Sequence, residues 1–300
     1  MSDTLLEANH TRVQPIPPIA PYVGGKRWLA KYIIPIIENL NHTRYVEPFI
    51  GMGGIFFRRR LRPYNEVIND YNSDIFNLFS VIRDDCASFL EYIDFAISSR
   101  QERDRLLKLG LQQLKPVEKA YRFLYLLKHS FNGKGVNSGT RSYRGCFNSY
   151  LIMKYIRLLH KRLAPVFIEH LDYSDCLIRH DKKGTLFYLD PPYIGKEHYY
   201  PQNNNFDFEA FSQCLFGIKN QFILSINDCE MARDLLGKFF IQEISVDYPS
   251  KHNGKPALHR NGYKTFGGAE LIVTNFPTNP IQTNAHVKKQ NLQAWEVNNV

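Results

Sequence analysis

Two adjacent prolines follow the apolar run Thr185–Leu189, and they limit how this part of the chain can fold. Proline has no backbone N–H and holds φ at about −65°, so Pro191 and Pro192 cannot continue the ladder of a central strand. The run therefore predicts a buried strand that stops where Asp190 meets solvent. The stiff corner beyond it presents a carboxylate, free carbonyls and the ring of Tyr193, which suits a flat substrate bearing an amine. The alternative is an ordinary turn with Asp190 on the surface.

The positive charge of the chain is concentrated in one segment. The 300 residues carry a net charge of +9, yet residues 100–165 contain fifteen Lys and Arg against three Asp and Glu, a net +12. This asymmetry predicts a segment that binds a polyanion, and a solvated helical surface is the alternative. Within the segment, residues 130–148 indicate a glycine-rich hairpin whose basic and amide side chains can reach phosphates and base edges.

A glycine-rich turn follows another short strand. The glycines of Phe49-Ile50-Gly51-Met52-Gly53-Gly54 would let a nucleoside approach the backbone at the carboxyl end of that strand. Asp70 lies 21 residues beyond Phe49, at the end of the next strand. A carboxylate at this spacing accepts hydrogen bonds from ribose hydroxyls. The dinucleotide fingerprint Gly-x-Gly-x-x-Gly is absent, and a glycine-rich turn alone is as often structural.

A second loop, Tyr22-Val23-Gly24-Gly25-Lys26, places a lysine after two glycines. It lacks the longer glycine spacing, and the Ser or Thr after lysine, that a phosphate-binding P-loop needs. A lysine held near an aromatic residue suits the carboxylate end of an amino-acid-bearing cofactor instead. An ordinary turn before a helix is the alternative.

Strand-like runs that alternate with helical runs predict an α/β fold. Residues 27–40 have helical spacing, with Pro35 expected to kink or break the helix, and a further helix is expected after the glycine turn. Residues 85–165 are predicted to be mostly helical. Residues 1–21 are expected to be extended, and the polar tail beyond Phe276 to be poorly ordered. The strand-like runs are 45–46, 66–70, 166–168, 186–189, 222–226, 239–246 and 270–275.

Five scattered cysteines show no metal-ligand spacing, so the sequence predicts reduced thiols and neither a disulfide framework nor a structural zinc site. The polar N-terminus does not resemble a secretory signal, and no stretch approaches the apolar length of a membrane span. A cytoplasmic protein without a membrane partner is expected.

Several separated motifs resemble, in their order, those of the Dam-like family of adenine-specific DNA methyltransferases (alpha-type motif order). The resemblance spans roughly residues 20–276. It implies an α/β fold with a Rossmann-like, S-adenosylmethionine-dependent methyltransferase sheet and an inserted, mostly helical target-recognition lobe. The motifs are Gly24-Gly25-Lys26, Glu47-Pro48-Phe49-Ile50-Gly51, Asn69-Asp70, Phe131-Asn132-Gly133, Asp190-Pro191-Pro192-Tyr193, Leu224-Ser225-Ile226-Asn227-Asp228 and Glu270-Leu271-Ile272-Val273-Thr274-Asn275.

The resemblance also implies domains and residue roles. Residues 21–84 and 165–276 would form the catalytic domain, 85–164 the recognition lobe, 1–20 an extended arm and 277–300 a flexible tail. The residues that bind and activate the target base would be Asp190, Pro191, Pro192 and Tyr193. The cofactor-binding residues would be Tyr22, Lys26, Pro48, Phe49, Gly51, Asp70, Asp172, Tyr173 and Asp190. The DNA-binding candidates in the insert are Asn132, Lys134, Arg141, Arg144 and Asn148.

The expected reaction transfers a methyl group from S-adenosylmethionine to the exocyclic amine of adenine in double-stranded DNA, after the base is flipped out of the stack. Neither a covalent enzyme intermediate nor an obligate protein partner is expected. Two alternatives stay open: the same chemistry on a cytosine amine, on RNA or on a protein glutamine, and a DNA-binding module without catalysis. The acid of the corner and the basic insert favour adenine in DNA, and Lys26, Asp70 and Asp190 favour catalysis.

Overall fold

The computed structural model describes residues 10–130, 147–197, 206–245, 257–258 and 264–280. Ten strands and nine α-helices lie within these ranges. The strands are β1 (Thr11–Arg12), β2 (Arg44–Glu47), β3 (Leu61–Arg62), β4 (Asn65–Asn69), β5 (Phe167–Glu169), β6 (Thr185–Leu189), β7 (Gln221–Cys229), β8 (Phe240–Ser245), β9 (Ala257–Leu258) and β10 (Lys264–Thr274). The helices are α1 (Ala30–Asn39), α2 (Ser73–Asp84), α3 (Cys86–Asp94), α4 (Arg100–Lys108), α5 (Pro116–His129), α6 (Ser149–Leu163), α7 (Tyr173–His180), α8 (Phe208–Gly217) and α9 (Glu230–Leu236).

The central sheet has eight strands and is mostly parallel, which confirms the predicted α/β class. Its order is β5-β4-β2-β6-β7-β10-β8, and β9 pairs with β10. The four pairs from β5 to β7 are parallel. Strand β10 lies between β7 and β8 and is antiparallel to both. A short separate sheet pairs β1 with β3.

The order of the parallel strands reverses between β2 and β6. The chain moves outward from β2 through β4 to β5 and then returns to place β6 on the other side of β2. In open α/β sheets a crevice forms at such a reversal, outside the carboxyl ends of the strands. Glu47 ends β2 and Asp190 directly follows β6, so both lie at this crevice.

The two faces of the sheet are covered by different helices. Side chains alternate between faces along a strand, so Tyr45 and Tyr188 point to one core cluster, and Val46 and Leu189 to the other. The buried apolar residues of α1 to α6 belong to the first cluster, and those of α7 to α9 belong to the second. Helices α3 to α6 therefore share their core with the sheet. The role of residues 85–164 as a target-recognition lobe stays a prediction.

A buried group of three charges joins α6 to the sheet. Both terminal guanidinium nitrogens of Arg162, Nη1 and Nη2, donate to the carboxylate of Glu66 on β4, at 2.5 and 2.7 Å. The guanidinium of Arg59 also donates to Glu66 and lies 3.7 Å from the centroid of the Tyr45 ring. All three side chains are buried, so the carboxylate compensates two charges that water cannot reach.

Two local predictions need correction. The glycine turn is followed by a single 3-10 turn, Phe56–Arg58, and not by an α-helix. Ile55, Phe56 and Phe57 are buried in succession, whereas an amphipathic helix buries residues three or four apart. Helix α1 also continues through Pro35, so the predicted break is wrong, and a kink at Pro35 stays a prediction. The burial of Ile33 and Ile37 on either side of Pro35 offsets the lost backbone hydrogen bond.

Residues 10–21 contain no helix, as expected from their prolines; β1 is their one regular element, and the chain bends at residues 19–20. The predictions for residues 1–9 and for the tail beyond residue 280 lie outside the described residues.

Candidate active site

A cavity of about 1010 Å³ opens at the carboxyl ends of β2 and β6. It lies between the loop that precedes α1 and the glycine turn that follows β2. This volume is in the range of cavities that hold small-molecule cofactors, about 300–1,000 Å³. The lining includes Tyr22, Lys26, Glu47, Phe49, Gly51, Tyr188 and Asp190, together with residues 17–21, 23–25, 27–28, 50, 52, 54–55, 58 and 128.

Close contact between the two loops requires glycine at position 51. Gly51 has a φ of 49°, in the left-handed region. A Cβ atom built on Gly51 would lie 3.3 Å from a ring carbon of Tyr22. Burial, with the nearby carboxylate of Asp70 as a second cause, raises the pKa of Tyr22, which keeps its phenol neutral. The structure thus brings together Tyr22 and Gly51, both of which were predicted to bind the cofactor.

Asp70 holds the glycine turn in place. One carboxylate oxygen accepts a hydrogen bond from the Gly51 N–H and the other accepts one from the Asn72 N–H, each at 2.9 Å. Burial raises the pKa of Asp70 to about 6, although these two N–H groups oppose the shift. Asp70 therefore has a structural role at the turn, and its contact with a ribose stays a prediction.

Lys26 connects the cavity to the corner after β6. Its ammonium donates to the Gly24 carbonyl at 2.8 Å and forms an ion pair with Asp190 at 2.6 Å. Lys26 is buried, and the side chain of Asp190 is 20% exposed. Burial raises the pKa of Asp190 to about 6, and the charge of Lys26 opposes that shift. The carboxylate is thus the charged form near neutral pH.

The predicted corner is more enclosed than the sequence indicated. Pro191, Pro192 and Tyr193 are all buried, and Tyr193 is 8% exposed. The Lys26 ammonium lies 4.4 Å from the centroid of the Tyr193 ring. The prediction that the aromatic ring meets solvent is therefore wrong, because residues of β7 and β10 pack on this part of the corner. Asp190 remains partly exposed, as predicted.

Polar side chains from these two strands hold the corner. Asn227 and Glu270 contact residues 194 and 193, respectively. Ser225 donates to Asp190 at 3.5 Å and lies 2.7 Å from the hydroxyl of Tyr188. All three residues belong to motifs that are visible in the sequence, but the sequence assigns them no role. For Ser225 and Asn227 the signal was a polar residue at alternate positions of β7, and for Glu270 it was a single acid at the start of an apolar run.

Glu47 is a further buried acid in the cavity lining. It accepts a hydrogen bond from the Tyr45 hydroxyl at 2.7 Å. Burial raises the pKa of Glu47 to about 8, so the neutral acid predominates at neutral pH. Its role could not be derived from the sequence, because its environment depends on the neighbouring strands.

The remaining predicted cofactor residues lie beside this cavity. The Phe49 ring lies between the cavity and an aromatic group on the other face of the sheet, where it stacks on Tyr173 with centroids 5.7 Å apart. Asp172 caps the N-terminus of α7 by accepting from the Ser174 N–H. The Pro48 carbonyl accepts from the Asn69 side chain. The contact of Pro48, Asp172 and Tyr173 with a cofactor stays a prediction.

Most of the predicted DNA-binding residues cannot be placed. Asn132, Lys134, Arg141 and Arg144 lie outside the described residues. Asn148 is exposed, and its side chain caps α6 by accepting from the Leu151 N–H at 3.0 Å. This capping hydrogen bond is enough to account for an asparagine at position 148 whether or not the residue contacts DNA. A DNA contact at Asn148 therefore stays a prediction.

Comparison with known proteins identifies the family. Residues 22–248 match the D12 class N6 adenine-specific DNA methyltransferases. The chain belongs to this family. The predicted resemblance to adenine-specific DNA methyltransferases is thereby confirmed, and so is adenine methylation of DNA as the activity.

Three relatives of the methyltransferase support this assignment. Type II methyltransferase M1.LlaDCHI of Lactococcus lactis subsp. cremoris is 26% identical, over 91% of this chain and 99% of the relative. Type II methyltransferase M.CviBI of Paramecium bursaria Chlorella virus NC1A is 22% identical, over 86% of this chain and 99% of the relative. The DNA adenine methylase of Serratia marcescens is 25% identical, over 59% of this chain and 65% of the relative.

The methyltransferase needs a methyl donor, and the residues of the cavity fit S-adenosylmethionine. That molecule carries a carboxylate, a cationic sulfur and a nucleoside. The Lys26 ammonium has three N–H donors, and its described contacts engage two of them, which leaves one for a carboxylate. The backbone of the glycine turn is open to close approach, and the Phe49 ring gives an apolar surface.

Among the helices that the structure describes, none combines the length and apolar character of a membrane span.

Proposed function

We propose that the methyltransferase moves the methyl group of S-adenosylmethionine to the exocyclic amine of an adenine flipped out of double-stranded DNA. The observation that carries the proposal is the ion pair between Lys26 and Asp190. It places a residue of the cofactor cavity in direct contact with the carboxylate of the base-binding corner. A donor in the cavity and an amine at Asp190 would therefore be neighbours.

In the proposed complex, the adenine must leave the duplex, because its amine is out of reach within the stack. Its ring would enter the corner beside Tyr193. The amine would donate hydrogen bonds to the Asp190 carboxylate and to the carbonyl of Pro191. Accepting both N–H bonds directs the nitrogen lone pair toward the cavity and raises its nucleophilicity.

When bound, S-adenosylmethionine supplies a methyl group on a cationic sulfur, which takes the bonding electron pair as the methyl leaves. The amine nitrogen forms the new bond to that carbon and becomes positively charged. The carboxylate of Asp190 stabilises this charge until the nitrogen loses a proton to solvent water. Asp190 must be ionised for this role.

Binding of the two substrates would use separate parts of the chain. Tyr22, Lys26, Phe49, Gly51 and Asp70 would hold the methyl donor, with Pro48, Asp172 and Tyr173 supporting the pocket. The insert at 130–148 would contact DNA, with much of the affinity coming from salt-dependent phosphate contacts. Recognition of a particular DNA sequence would depend on a few side chains of that insert.

Digestion of treated DNA to nucleosides tests the proposal directly. The wild-type protein should produce N6-methyladenine, and methylcytosine without methyladenine would contradict the proposal. Asp190→Ala should bind DNA normally, as measured by fluorescence anisotropy, and lose at least about 100-fold in methylation rate, as expected for loss of a group that stabilises transition-state charge. Asp234→Asn is the matched control, because Asp234 is exposed on α9.

Calorimetry with S-adenosylmethionine separates catalysis from DNA binding alone. The wild-type protein should bind it, and Asp70→Ala should weaken that binding. Binding of DNA without any binding of S-adenosylmethionine would instead indicate a DNA-binding module.

A further inference from the structure

Asn227 on β7 and Glu270 on β10 face each other across the antiparallel pair that covers the corner. They are register partners, so their side chains lie on the same face of the sheet. Both are buried, as are Tyr193 and Ile194, which they contact. The four residues form a compact group at the carboxyl end of β6.

Asn227 forms two hydrogen bonds to the backbone of one residue. Its Oδ1 accepts from the Ile194 N–H at 2.9 Å, and its Nδ2 donates to the Ile194 carbonyl at 3.3 Å. The side-chain amide thus reproduces the pair of bonds that a neighbouring strand would give. The replacement is needed because Pro191 and Pro192 have no N–H with which to continue the ladder of β6.

Glu270 fixes the aromatic side chain that precedes Ile194. The Tyr193 hydroxyl donates to its Oε2 at 2.5 Å. A tyrosine ring has two rotatable side-chain bonds, and a hydrogen bond at its far end restricts both. Because Asn227 holds the adjacent backbone, the ring is fixed at both ends.

We propose that Asn227 and Glu270 form a clamp that positions the Tyr193 ring to receive the target adenine. The inference rests on the proposed function, because it assigns a role to residues that act through Tyr193. Neither residue needs to touch the base or the methyl donor. Both are positioning residues, and their loss should affect how the base is held more than how the donor binds.

The test uses duplex DNA with 2-aminopurine at the target adenine, whose fluorescence is quenched when it stacks on an aromatic ring. Glu270→Leu and Tyr193→Phe should each brighten the bound probe and lower kcat/KM for DNA by about 10-fold to 100-fold, the scale of a misplacement near 1 Å. S-adenosylmethionine affinity should change less than about twofold, because neither Tyr193 nor Glu270 is among the residues that line the cofactor cavity.

A double-mutant cycle gives the decisive comparison. If Glu270 acts through the Tyr193 hydroxyl, adding Glu270→Leu to Tyr193→Phe should cause little further loss. Glu270→Gln, which keeps an acceptor, should restore most of the activity. Asn227→Ala should also brighten the probe. Glu243→Leu on β8 is the matched control, because that carboxylate accepts from Arg233 and not from Tyr193.

Fully multiplicative losses, or unchanged kcat/KM and fluorescence in Tyr193→Phe, would overturn the clamp. Tyr193→Phe keeps the ring and leaves β10 intact, so it decides the question even where Glu270→Leu fails to fold. A wild-type protein that forms no N6-methyladenine would contradict the proposed function itself. A wild-type protein that methylates adenine, with variants indistinguishable from it, would contradict only the clamp.

Discussion

The ammonium of Lys26 lies 2.6 Å from Oδ1 of Asp190 and 4.4 Å from the centroid of the Tyr193 ring. A lysine from the loop that precedes α1 therefore contacts both the acid and the aromatic residue of the corner after β6. Its charge favours the ionised form of Asp190, which the proposed reaction requires.

The acid side of the pH profile should report Asp190. Burial raises the pKa of Asp190 to about 6, and activity requires the carboxylate. We therefore expect kcat/KM to rise as the pH increases through about 6 and then to level off. Methylation rates measured between pH 5 and 8, at concentrations well below KM, would show this limb. A profile that is flat across this range would contradict the assignment.

Replacement of Lys26 should move that limb. The positive charge of Lys26 lowers the pKa of Asp190, so Lys26→Met should shift the limb to higher pH. The same pH series on the variant gives the shift. Lys31→Met, at an exposed position of α1, should leave the limb in place. A shift to lower pH would show that Lys26 does not stabilise the carboxylate.

Gly53→Ala should destabilise the protein by on the order of 2 kcal/mol. Gly53 has a φ of 67°, and a Cβ atom there would lie 2.2 Å from a ring carbon of Phe57. Phe57 is fully buried, so its ring has no space into which to move. Urea unfolding would measure the loss.

Gly110→Ala is the control for that substitution. A Cβ atom on Gly110 would meet no atom within 4 Å, and we expect a change within about 0.5 kcal/mol. Equal stability of the two variants would contradict the steric argument.

Glu66→Gln should lower the free energy of unfolding by about 3–5 kcal/mol. The substitution leaves the buried guanidinium groups of Arg59 and Arg162 without a compensating charge. Asp84→Asn is a suitable comparison, because Asp84 is 57% exposed and its pair with Arg83 should contribute at most about 1 kcal/mol. Similar losses in the two variants would show that burial of the charges at Glu66 is not decisive.

The basic insert can be tested through its salt dependence. Arg141→Ala and Arg144→Ala should each weaken DNA binding, and each lost phosphate contact should reduce the slope of log K against log salt by about 0.9. Lys288→Ala, in the predicted tail, should leave the slope unchanged. Binding titrations at several salt concentrations provide the measurement, and unchanged slopes in the arginine variants would place the DNA contact elsewhere.

Much of the site could be predicted because local rules determine it. Adjacent prolines end a strand wherever they occur, so the corner at Asp190 was predictable from sequence. The position of Asp70 after β4 followed from an apolar run with a polar end. The 3-10 turn at Phe56–Arg58 was missed because consecutive buried aromatics depend on packing from several directions.

The partners of the corner depend on strand order. Asn227 meets Glu270 only because β10 inserts antiparallel between β7 and β8. No local pattern specifies that insertion. The raised pKa of Glu47 similarly depends on its burial by residues that come from distant parts of the chain.

The position of β10 has a consequence for synthesis of the protein. Lys26 and Asp190 leave the ribosome well before Glu270, and domains generally begin to fold from the N-terminal side during translation. The parallel strands can assemble early, whereas the gap between β7 and β8 is filled only when β10 emerges. In a nascent chain that contains all the residues of the cofactor cavity but not yet β10, Tyr193 therefore lacks its hydrogen bond to Glu270. We expect competence for methylation to appear only after β10 has left the ribosome.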